Sequence, residues 1–259
     1  MRFCNLGSGS GGNATLIEAS QGITRTRVLV DAGFSLRELN RRLLRAGCEP
    51  DSIDALFITH EHGDHIGCAL GFAALHRVPV LTSRGTWLAV RDKATPDVRH
   101  VPVQHGTAVD LGDLLLHPFS APHDANEPLQ LTATDGARRL GVVTDLGSAP
   151  ASVVSALQGC DALLLECNHD EAMLRAGRYP PSLKRRILGT HGHLSNEAAA
   201  LLLQQCWHAD LSCIAAAHLS EHNNRPDLAV AALQNAIGTD RSDIRVADPK
   251  LGLDWLSLG

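Results

Sequence analysis

The chain has 259 residues, of which 44% are hydrophobic and 20% charged, and its formal net charge is −5 at pH 7. This balance is typical of a soluble globular protein and excludes a disordered or fibrous chain. It also excludes an extended basic surface that would bind nucleic acid tightly without specificity, although it allows a local basic patch. The compositional excess is in histidine, with 14 residues against 5 Phe, 3 Trp and 1 Tyr.

The first half of the chain alternates apolar strands with helices. Strands are predicted at 14–19, 27–31, 54–59 and 78–82, and helices at 36–46, at 66–76 and from a cap at Ser83 to Val90. Further strands are predicted at 98–103, 107–119, 128–134 and 138–144, with turn signals at Gly112-Asp113 and Asp135-Gly136.

The second half repeats a helix–strand unit. Helices are predicted at 150–158, 169–176, 196–208 and 226–237, strands at 161–166, 213–217 and near 243–247, and a basic loop around Pro180-Pro181. Ser195 is the expected N-cap of the helix at 196–208. Since neither a linker nor an internal repeat divides the chain, we expect one continuous α/β domain over residues 1–259.

The cysteines and the apolar runs indicate the cellular compartment of the protein. The 7 cysteines are scattered, odd in number and form no C-x-x-C pair, which favours reduced thiols over a disulfide framework or a structural zinc site. Apolar runs are too short for a membrane-spanning helix, and glycines interrupt the first thirteen residues before a signal peptide could form. We therefore expect a cytoplasmic protein with no membrane partner.

A dense set of metal-ligating residue types follows the strand at 54–59. In HEHGDH at 60–65, His60 and His62 lie two apart, so on extended backbone they project to the same side. Asp64 and His65 add a carboxylate and another imidazole. Neutral imidazole and carboxylate are ligands of borderline divalent metals such as Zn²⁺. The motif therefore predicts two adjacent metals rather than one tetrahedral site, against the alternative of a polar loop with chance histidines.

THEHGDH resembles the HxHxDH signature of metallo-β-lactamase-fold hydrolases, and this resemblance implies a four-layer αββα sandwich with the metals at its edge. It implies further ligands at strand ends, namely His123 in SAPHD, Asp145 after LGVVT and His218 after CIAAA. One metal would then be held by His60, His62 and His123, and the other by Asp64, His65 and His218. Asp145 and a hydroxide would bridge the two metals. Asp31 in VLVDAG matches an early aspartate that supports the ligands, although it is equally compatible with a turn at a strand end.

Four segments narrow the resemblance to the nuclease-like YycJ/WalJ group: SGSGGN at 8–13, LLLECNHD at 163–170, GHLSN at 192–196 and AHLSEHNN at 217–224. The first usually reads SGSSGN, so Gly11 lacks a hydroxyl present in the group. The segments also resemble the core of tRNase Z-type phosphodiesterases. That likeness implies that His193 protonates the leaving group and that Glu166 positions it, with Asp64 counted among the catalytic residues. The alternative for His193 is a histidine in a helix-capping loop.

The only basic cluster near these segments comprises Arg175, Arg178, Lys184, Arg185 and Arg186. We expect Lys184, Arg185 and Arg186 to contact phosphate, with a solvated face as the alternative. Ser195 and Ser220 are further candidates for phosphate contact through a hydroxyl or a helix-terminal N–H group.

The sequence thus predicts a dinuclear metal-dependent phosphodiesterase, with DNA ends as the substrate and exonuclease action. Its bridging hydroxide would attack phosphorus. Zn²⁺ is the expected metal, with Mn²⁺ and Fe²⁺ as alternatives. The alternatives in function are a small-molecule hydrolase of a cyclic phosphodiester, thioester or lactone, and a non-catalytic metal-binding regulatory protein. Asp145 disfavours antibiotic hydrolysis, and the lack of a large insertion or a Gly/Pro-rich arm disfavours specific tRNA maturation.

Overall fold

A computed structural model describes residues 1–238 and 244–259. Its strands are β1 Arg2–Gly7, β2 Ala14–Gln21, β3 Thr24–Val30, β4 Ala55–Phe57, β5 Val80–Thr82, β6 His100–Pro102, β7 Val109–Asp110, β8 Leu115–Ser120, β9 Leu129–Thr134, β10 Arg139–Val143, β11 Ala162–Glu166, β12 Cys213–Ala217, β13 Arg245–Val246 and β14 Leu253–Ser257. Its α-helices are α1 Leu36–Arg45, α2 Gly63–Ile66, α3 Ala69–His76, α4 Arg84–Val90, α5 Ala151–Leu157, α6 Glu171–Ala176, α7 Pro181–Ile187, α8 Asn196–Cys206 and α9 Pro226–Ile237.

The strands form two mixed sheets with matching topologies. The first has the order β14-β1-β2-β3-β4-β5-β6 and the second the order β13-β12-β11-β10-β9-β8-β7. In the first sheet β3 to β6 are parallel and β14 to β3 antiparallel. In the second, β10 to β13 are parallel and β7 to β10 antiparallel. Each sheet therefore combines a hairpin half with a crossover half, whose connections carry helices.

Three apolar layers hold the sheets and helices together. Phe3, Phe57 and Leu164 belong to the core between the two sheets. On the outer face of the first sheet, Leu39 and Leu43 of α1 pack with Phe72 of α3. The corresponding layer of the second sheet lies under α5, α8 and α9, with Val153, Leu157, Leu202, Leu203 and Leu233 among its members. The predicted four-layer αββα sandwich is confirmed.

The predicted basic loop around Pro180-Pro181 is wrong, because residues Pro181–Ile187 form α7. Proline at the first helical position loses no hydrogen bond and presets the backbone. The three basic residues Lys184, Arg185 and Arg186 occupy the last turn, where the carbonyl end of the helix favours positive charge. The same features that suggested a solvated loop therefore stabilise a short helix.

Two strands were not predicted, and they pair with each other. β1 and β14 run antiparallel, with Arg2 opposite Ser257. Asn5 stands at an irregularity of β1, where its buried amide donates to Ala14 O at 3.3 Å and to Thr15 Oγ1 at 3.0 Å. A polar residue buried with partners of its own interrupts the alternation on which strand prediction depends.

Most other boundaries agree within a few residues, with three local differences. The predicted helix at 66–76 is broken at Gly67, where a Cβ would lie 2.4 Å from Ala32 O, so only glycine allows this close approach. The run at 107–119 is the hairpin β7–β8, which turns at the predicted Gly112-Asp113. Of the strand predicted near 243–247, residue 243 lies outside the described residues and β13 covers Arg245–Val246.

Two further observations bear on the cysteines and the helices. No disulfide joins the 7 cysteines, all of which lie in the described part of the chain. Among residues 1–238 and 244–259, none of the helices has the length and apolarity needed to cross a lipid bilayer.

A buried carboxylate on the first sheet gives a pH-dependent prediction. Glu18 accepts hydrogen bonds from Arg2 and Arg27, both at 2.7 Å. Burial raises its pKa, but these arginines outweigh that effect and lower it below the ordinary value of 4.5. The ionised form therefore stabilises the fold above that value, and the stabilisation is lost as the pH falls through the lowered pKa.

Glu18→Gln is expected to reduce the free energy of unfolding by about 1 kcal/mol at pH 7. The difference from wild type should shrink at pH 3, which lies below the ordinary carboxyl pKa of 4.5. Urea unfolding at both pH values measures it, with the exposed Glu49→Gln as the matched control. A difference that does not change with pH would contradict the assignment.

Candidate metal centre

The predicted ligands meet where several strands end. The motif at 60–65 connects β4 to α2, while His123 follows β8, Asp145 follows β10 and His218 follows β12. Among the described residues, four overlapping groups of His, Asp and Glu lie there. Within each group, the possible ligand atoms are no more than 4.8 Å apart. Segments far apart in the chain thus build one cluster at the edge of the sandwich.

The backbone is strained at this edge. Apart from glycines, only Asp31, Arg77, Asp145 and His218 have positive φ among the described residues. Three of these four residues come one or two positions after strands that end at the site. They are Asp31, Asp145 and His218, with φ of 61°, 56° and 55°. The left-handed conformation costs roughly 1 kcal/mol per residue outside glycine. The fold bears this cost where three side chains are aimed at the cluster.

His60, His62 and His123 form the first group of ligand atoms. His62 Nδ1 lies 3.0 Å from His60 Nε2 and 3.2 Å from His123 Nε2. On the far side of its ring, His123 Nδ1 donates to Gly192 O at 3.0 Å, which leaves the Nε2 lone pair for the cluster. Burial lowers the pKa of His123 and holds that of His60 well below its ordinary value. Both rings are therefore kept in the neutral form that binds metals.

Asp64, His65 and His218 form the second group. Asp64 Oδ2 lies 3.7 Å from His65 Nε2 and 3.6 Å from His218 Nε2. The other ring nitrogens face carboxylates, since His65 Nδ1 is 2.7 Å from Asp31 Oδ2 and His218 Nδ1 is 3.1 Å from Glu166 Oε1. An Nδ1–H donated to a carboxylate fixes the tautomer that presents the Nε2 lone pair.

Asp145 lies between the two groups. Its Oδ2 is 2.6 Å from His65 Nε2, and its Oδ1 is 3.9 Å from His123 Nε2. Burial raises the pKa of Asp145, but His218 and His65 outweigh that effect and hold it well below its usual range. The carboxyl group is therefore ionised, and it faces ligand atoms of both groups.

The polar atoms at the centre fit divalent metals. Asp145 Oδ2 and His218 Nε2 are buried and make no hydrogen bond, although His65 Nε2 lies 2.6 Å from the first and Asp64 Oδ2 lies 3.6 Å from the second. Such atoms cost free energy unless another group binds them. Imidazole nitrogens and carboxylate oxygens are the donors that Zn²⁺, Mn²⁺ and Fe²⁺ accept. The residues present therefore suit one ion in each group, with Asp145 within reach of both.

Thr59 and Asp31 support the histidines from behind. Asp31 Oδ1 accepts hydrogen bonds from Thr59 N at 2.8 Å and from its hydroxyl at 3.0 Å, and Thr59 Oγ1 is also 3.0 Å from His60 Nδ1. Asp31 is therefore more than a turn residue, because its other oxygen orients His65. The sequence reasoning missed Thr59, although its place between a buried strand and the motif was a usable signal.

Asp31→Asn is expected to weaken metal binding about 10- to 100-fold while leaving the fold intact. Asparagine tolerates the left-handed backbone at this position, but its amide nitrogen cannot accept the proton of His65 Nδ1. Titration against a competing chelator measures the affinity, and circular dichroism checks the fold. Wild-type metal affinity in this variant would show that Asp31 does not orient His65.

Ser8 and Asn13 connect residues of the second ligand group that come from different sheets, namely Asp64 and His65 after β4 and His218 after β12. Asn13 Nδ2 lies 3.1 Å from His65 Nε2 and donates to Asp64 O at 3.3 Å, while its Oδ1 accepts from Ser8 Oγ at 3.1 Å. Ser8 Oγ in turn accepts from His218 N at 2.8 Å. Neither residue was singled out from the sequence, although both lie in the SGSGGN segment. Gly11 of that segment is exposed, with nothing within 4 Å of an added Cβ, so a side chain at this position would enter open space.

Glu166 and His193 form a pair beside the metal centre. Glu166 is fully buried, and its Oε1 lies 2.8 Å from His193 Nδ1, while its Oε2 accepts from Leu146 N at 2.7 Å. Burial raises the pKa of Glu166, but His193 outweighs that effect and lowers it to about 2. Burial lowers the pKa of His193, yet the Glu166 carboxylate raises it above the ordinary value overall. Glu166 Oε1 also contacts His218, so one carboxylate lies within hydrogen-bond distance of both histidines.

The residues predicted to contact phosphate are dispersed. Arg186 and Ser220 line a cavity beside His193, and Arg186 forms an ion pair with Asp124. Lys184 Nζ donates instead to Arg175 O at 2.6 Å, and Arg185 is exposed. The buried Ser195 hydroxyl accepts from Ala198 N at 3.2 Å, so it caps α8 as predicted.

This donor set at the edge of an αββα sandwich defines a metal-dependent hydrolase. The chain belongs to the β-lactamase superfamily, since the family described as "Beta-lactamase superfamily domain" matches residues 26–213. It belongs to the YycJ/WalJ-like branch, since it is 31% identical to Exodeoxyribonuclease YycJ of Bacillus anthracis, over 97% of this chain and 97% of that relative. The resemblance found in the motifs is confirmed.

Two solved structures share the fold. The metallo-β-lactamase fold protein YhfI from Bacillus subtilis is 14% identical with a TM-score of 0.75, over 98% of both chains. The short form of human tRNase Z is 16% identical with a TM-score of 0.66, over 100% of both chains. At these identities the likeness extends to the fold alone.

Proposed function

We propose that the chain is a dinuclear metal-dependent phosphodiesterase that removes nucleotides from DNA ends. The observation that carries the proposal is the arrangement of two ligand groups around Asp145, with the His193–Glu166 pair at their side. His193 Nδ1 is 3.3 Å from Asp145 Oδ1, so the proposed acid and the proposed metal site serve the same reacting group.

The residues of each group have separate tasks. The first metal would be held by His60, His62 and His123, and the second by Asp64, His65 and His218, with Asp145 shared between them. When bound, two such ions, Zn²⁺ in the simplest case, supply a nucleophile from water at neutral pH and stabilise charge on the phosphate. Asp31 and Glu166 keep the ligand rings in the tautomer and orientation that this requires.

His193 supplies the proton that the leaving oxygen needs. Its Nδ1 faces Glu166, so its Nε2 is the nitrogen available to substrate, and the side chain is 22% exposed. The Glu166 carboxylate raises the pKa of His193 above its ordinary value, which favours the protonated ring that donates. A nucleotide alkoxide is a poor leaving group, and protonation by a positioned imidazole typically accelerates its departure by 10²–10⁴-fold.

DNA is the proposed substrate because the similar protein from Bacillus anthracis is named an exodeoxyribonuclease. Arg186 beside His193 offers a guanidinium for a phosphate oxygen. A small-molecule hydrolase is the second candidate, favoured by the net charge of −5 and by the small volume, about 200 Å³, of the cavity beside His193.

A substrate panel tests the proposal on metal-loaded protein. The substrates are linear and circular single-stranded DNA, duplex DNA, RNA, bis(4-nitrophenyl) phosphate and a thioester. We expect linear DNA to be degraded to mononucleotides and circular DNA to survive. His65→Ala, purified identically, controls for a contaminating nuclease. Cleavage of the circle would overturn exonuclease action, and activity confined to the thioester would overturn the phosphodiesterase.

A further inference from the structure

A cavity of about 200 Å³ opens beside His193 and is distinct in chemistry from the metal centre. Its apolar lining comes from Tyr179, Leu183 and Ile187, and Asn168 and Ser220 add polar groups. Two charged residues of its lining, Asp124 and Arg186, form an ion pair with each other, and His193 stands at its edge as the proposed proton donor. The rest of the interior therefore suits an uncharged group that has apolar faces and a polar edge.

Tyr179 is the only tyrosine of the chain and contributes a phenol ring to this lining. Its ring meets His222 edge-on, with the centroids 6.1 Å apart and the planes at 86°. Pro180 follows it directly and restricts its backbone to extended conformations, and Pro181 begins α7. A half-buried aromatic ring held in this way loses little conformational entropy when a flat ligand packs on it.

The position of His193 decides which part of the substrate reaches the cavity. His193 lines the cavity and is also the proposed proton donor to the leaving oxygen. The group attached to that oxygen therefore lies on the cavity side of the phosphate. In an exonuclease acting on DNA, that group is either the released nucleoside or the nucleoside that remains at the new end.

We propose that this cavity binds one nucleobase at the end of the DNA strand, stacked on Tyr179. The inference rests on the proposed function and adds a base-binding subsite to it. Nucleobases combine apolar faces with a polar edge, as the lining requires, and stacking on an aromatic ring tolerates any base. A volume of about 200 Å³ admits a single base.

Oligonucleotides with a base or an abasic tetrahydrofuran unit at one terminal position test this subsite, with the 5′ and 3′ ends examined separately. For the end that the enzyme attacks, wild type should show a kcat/KM roughly 5- to 100-fold lower on the abasic substrate. Tyr179→Ala should lower kcat/KM on the normal end by a similar factor and leave the abasic end unchanged within about twofold. Tyr179→Phe should behave as wild type, since the ring and not the hydroxyl stacks.

A binding measurement supports the kinetic one. Deoxynucleoside monophosphate should bind more weakly to Tyr179→Ala than to wild type or Tyr179→Phe, while inorganic phosphate should bind all three equally. Equal cleavage of normal and abasic ends by wild type, or an equal loss on both ends in Tyr179→Ala, would overturn the subsite and leave the proposed function standing. Failure of wild type to cleave either substrate would overturn the proposed function, and the subsite with it.

Discussion

His193→Ala is expected to lower kcat on DNA by about 10²- to 10⁴-fold and to leave the cleavage of bis(4-nitrophenyl) phosphate nearly unchanged. A deoxyribose alkoxide needs a proton when it departs, whereas nitrophenolate is stable without one. The contact between His193 Nδ1 and Glu166 raises the pKa of the imidazole, which favours the charged form that this proposed task needs. The ratio of the two rate constants, measured in both proteins, isolates proton donation from binding.

Two controls make the His193 experiment decisive. His208→Ala removes a histidine whose Nε2 contacts Cys160 O at 3.0 Å, on a different part of the second sheet, and should leave both activities intact. Metal content should equal that of wild type, because His193 belongs to neither proposed ligand group. An equal slowing of both substrates would show that His193 holds the centre together and does not donate the proton.

Four members of the cluster could be predicted from their spacing, because they lie within six residues. The other three, His123, Asp145 and His218, were implied by the resemblance to metallo-β-lactamase-fold hydrolases, and each comes shortly after an apolar strand. The supporting contacts follow no such pattern. Ser8 accepts from His218 N across 210 residues, and Asn13 reaches His65 across 52. Contacts of this kind depend on how the two sheets face each other, which local patterning does not encode.

The basic cluster shows how a helix directs neighbouring charges to different surroundings. Successive residues on a helix point about 100° apart, so three adjacent side chains of α7 cannot face one site. Arg186 reaches the cavity and Asp124, Lys184 turns back to Arg175 O, and Arg185 faces solvent. Because residues 181–187 are helical, only Arg186 of the three basic side chains lies beside His193. A loop would not have imposed this limit, so the prediction of a loop allowed all three to be counted together.

Asp145→Asn is expected to reduce activity on every substrate by more than about 100-fold and to lower the bound metal below two ions per chain. Loss of residues that merely orient a ligand already costs 10- to 100-fold in metal affinity or activity, and Asp145 directly faces both ligand groups. Asparagine suits the test because it has the same shape and tolerates the φ of 56° found here. Elemental analysis after dialysis, together with the rate on bis(4-nitrophenyl) phosphate, measures both effects.

Asp161→Asn is the matched control for Asp145→Asn. Asp161 is also a largely buried carboxylate, but it accepts hydrogen bonds from Arg138 Nη1 at 2.8 Å and from Arg139 N at 2.7 Å, at the start of β11. Its replacement should lower thermal stability without changing metal content. If Asp145→Asn kept two ions and full activity, the carboxylate would not be shared between metals. If it kept one ion and lost activity, the two groups would bind independently, and catalysis would still require both.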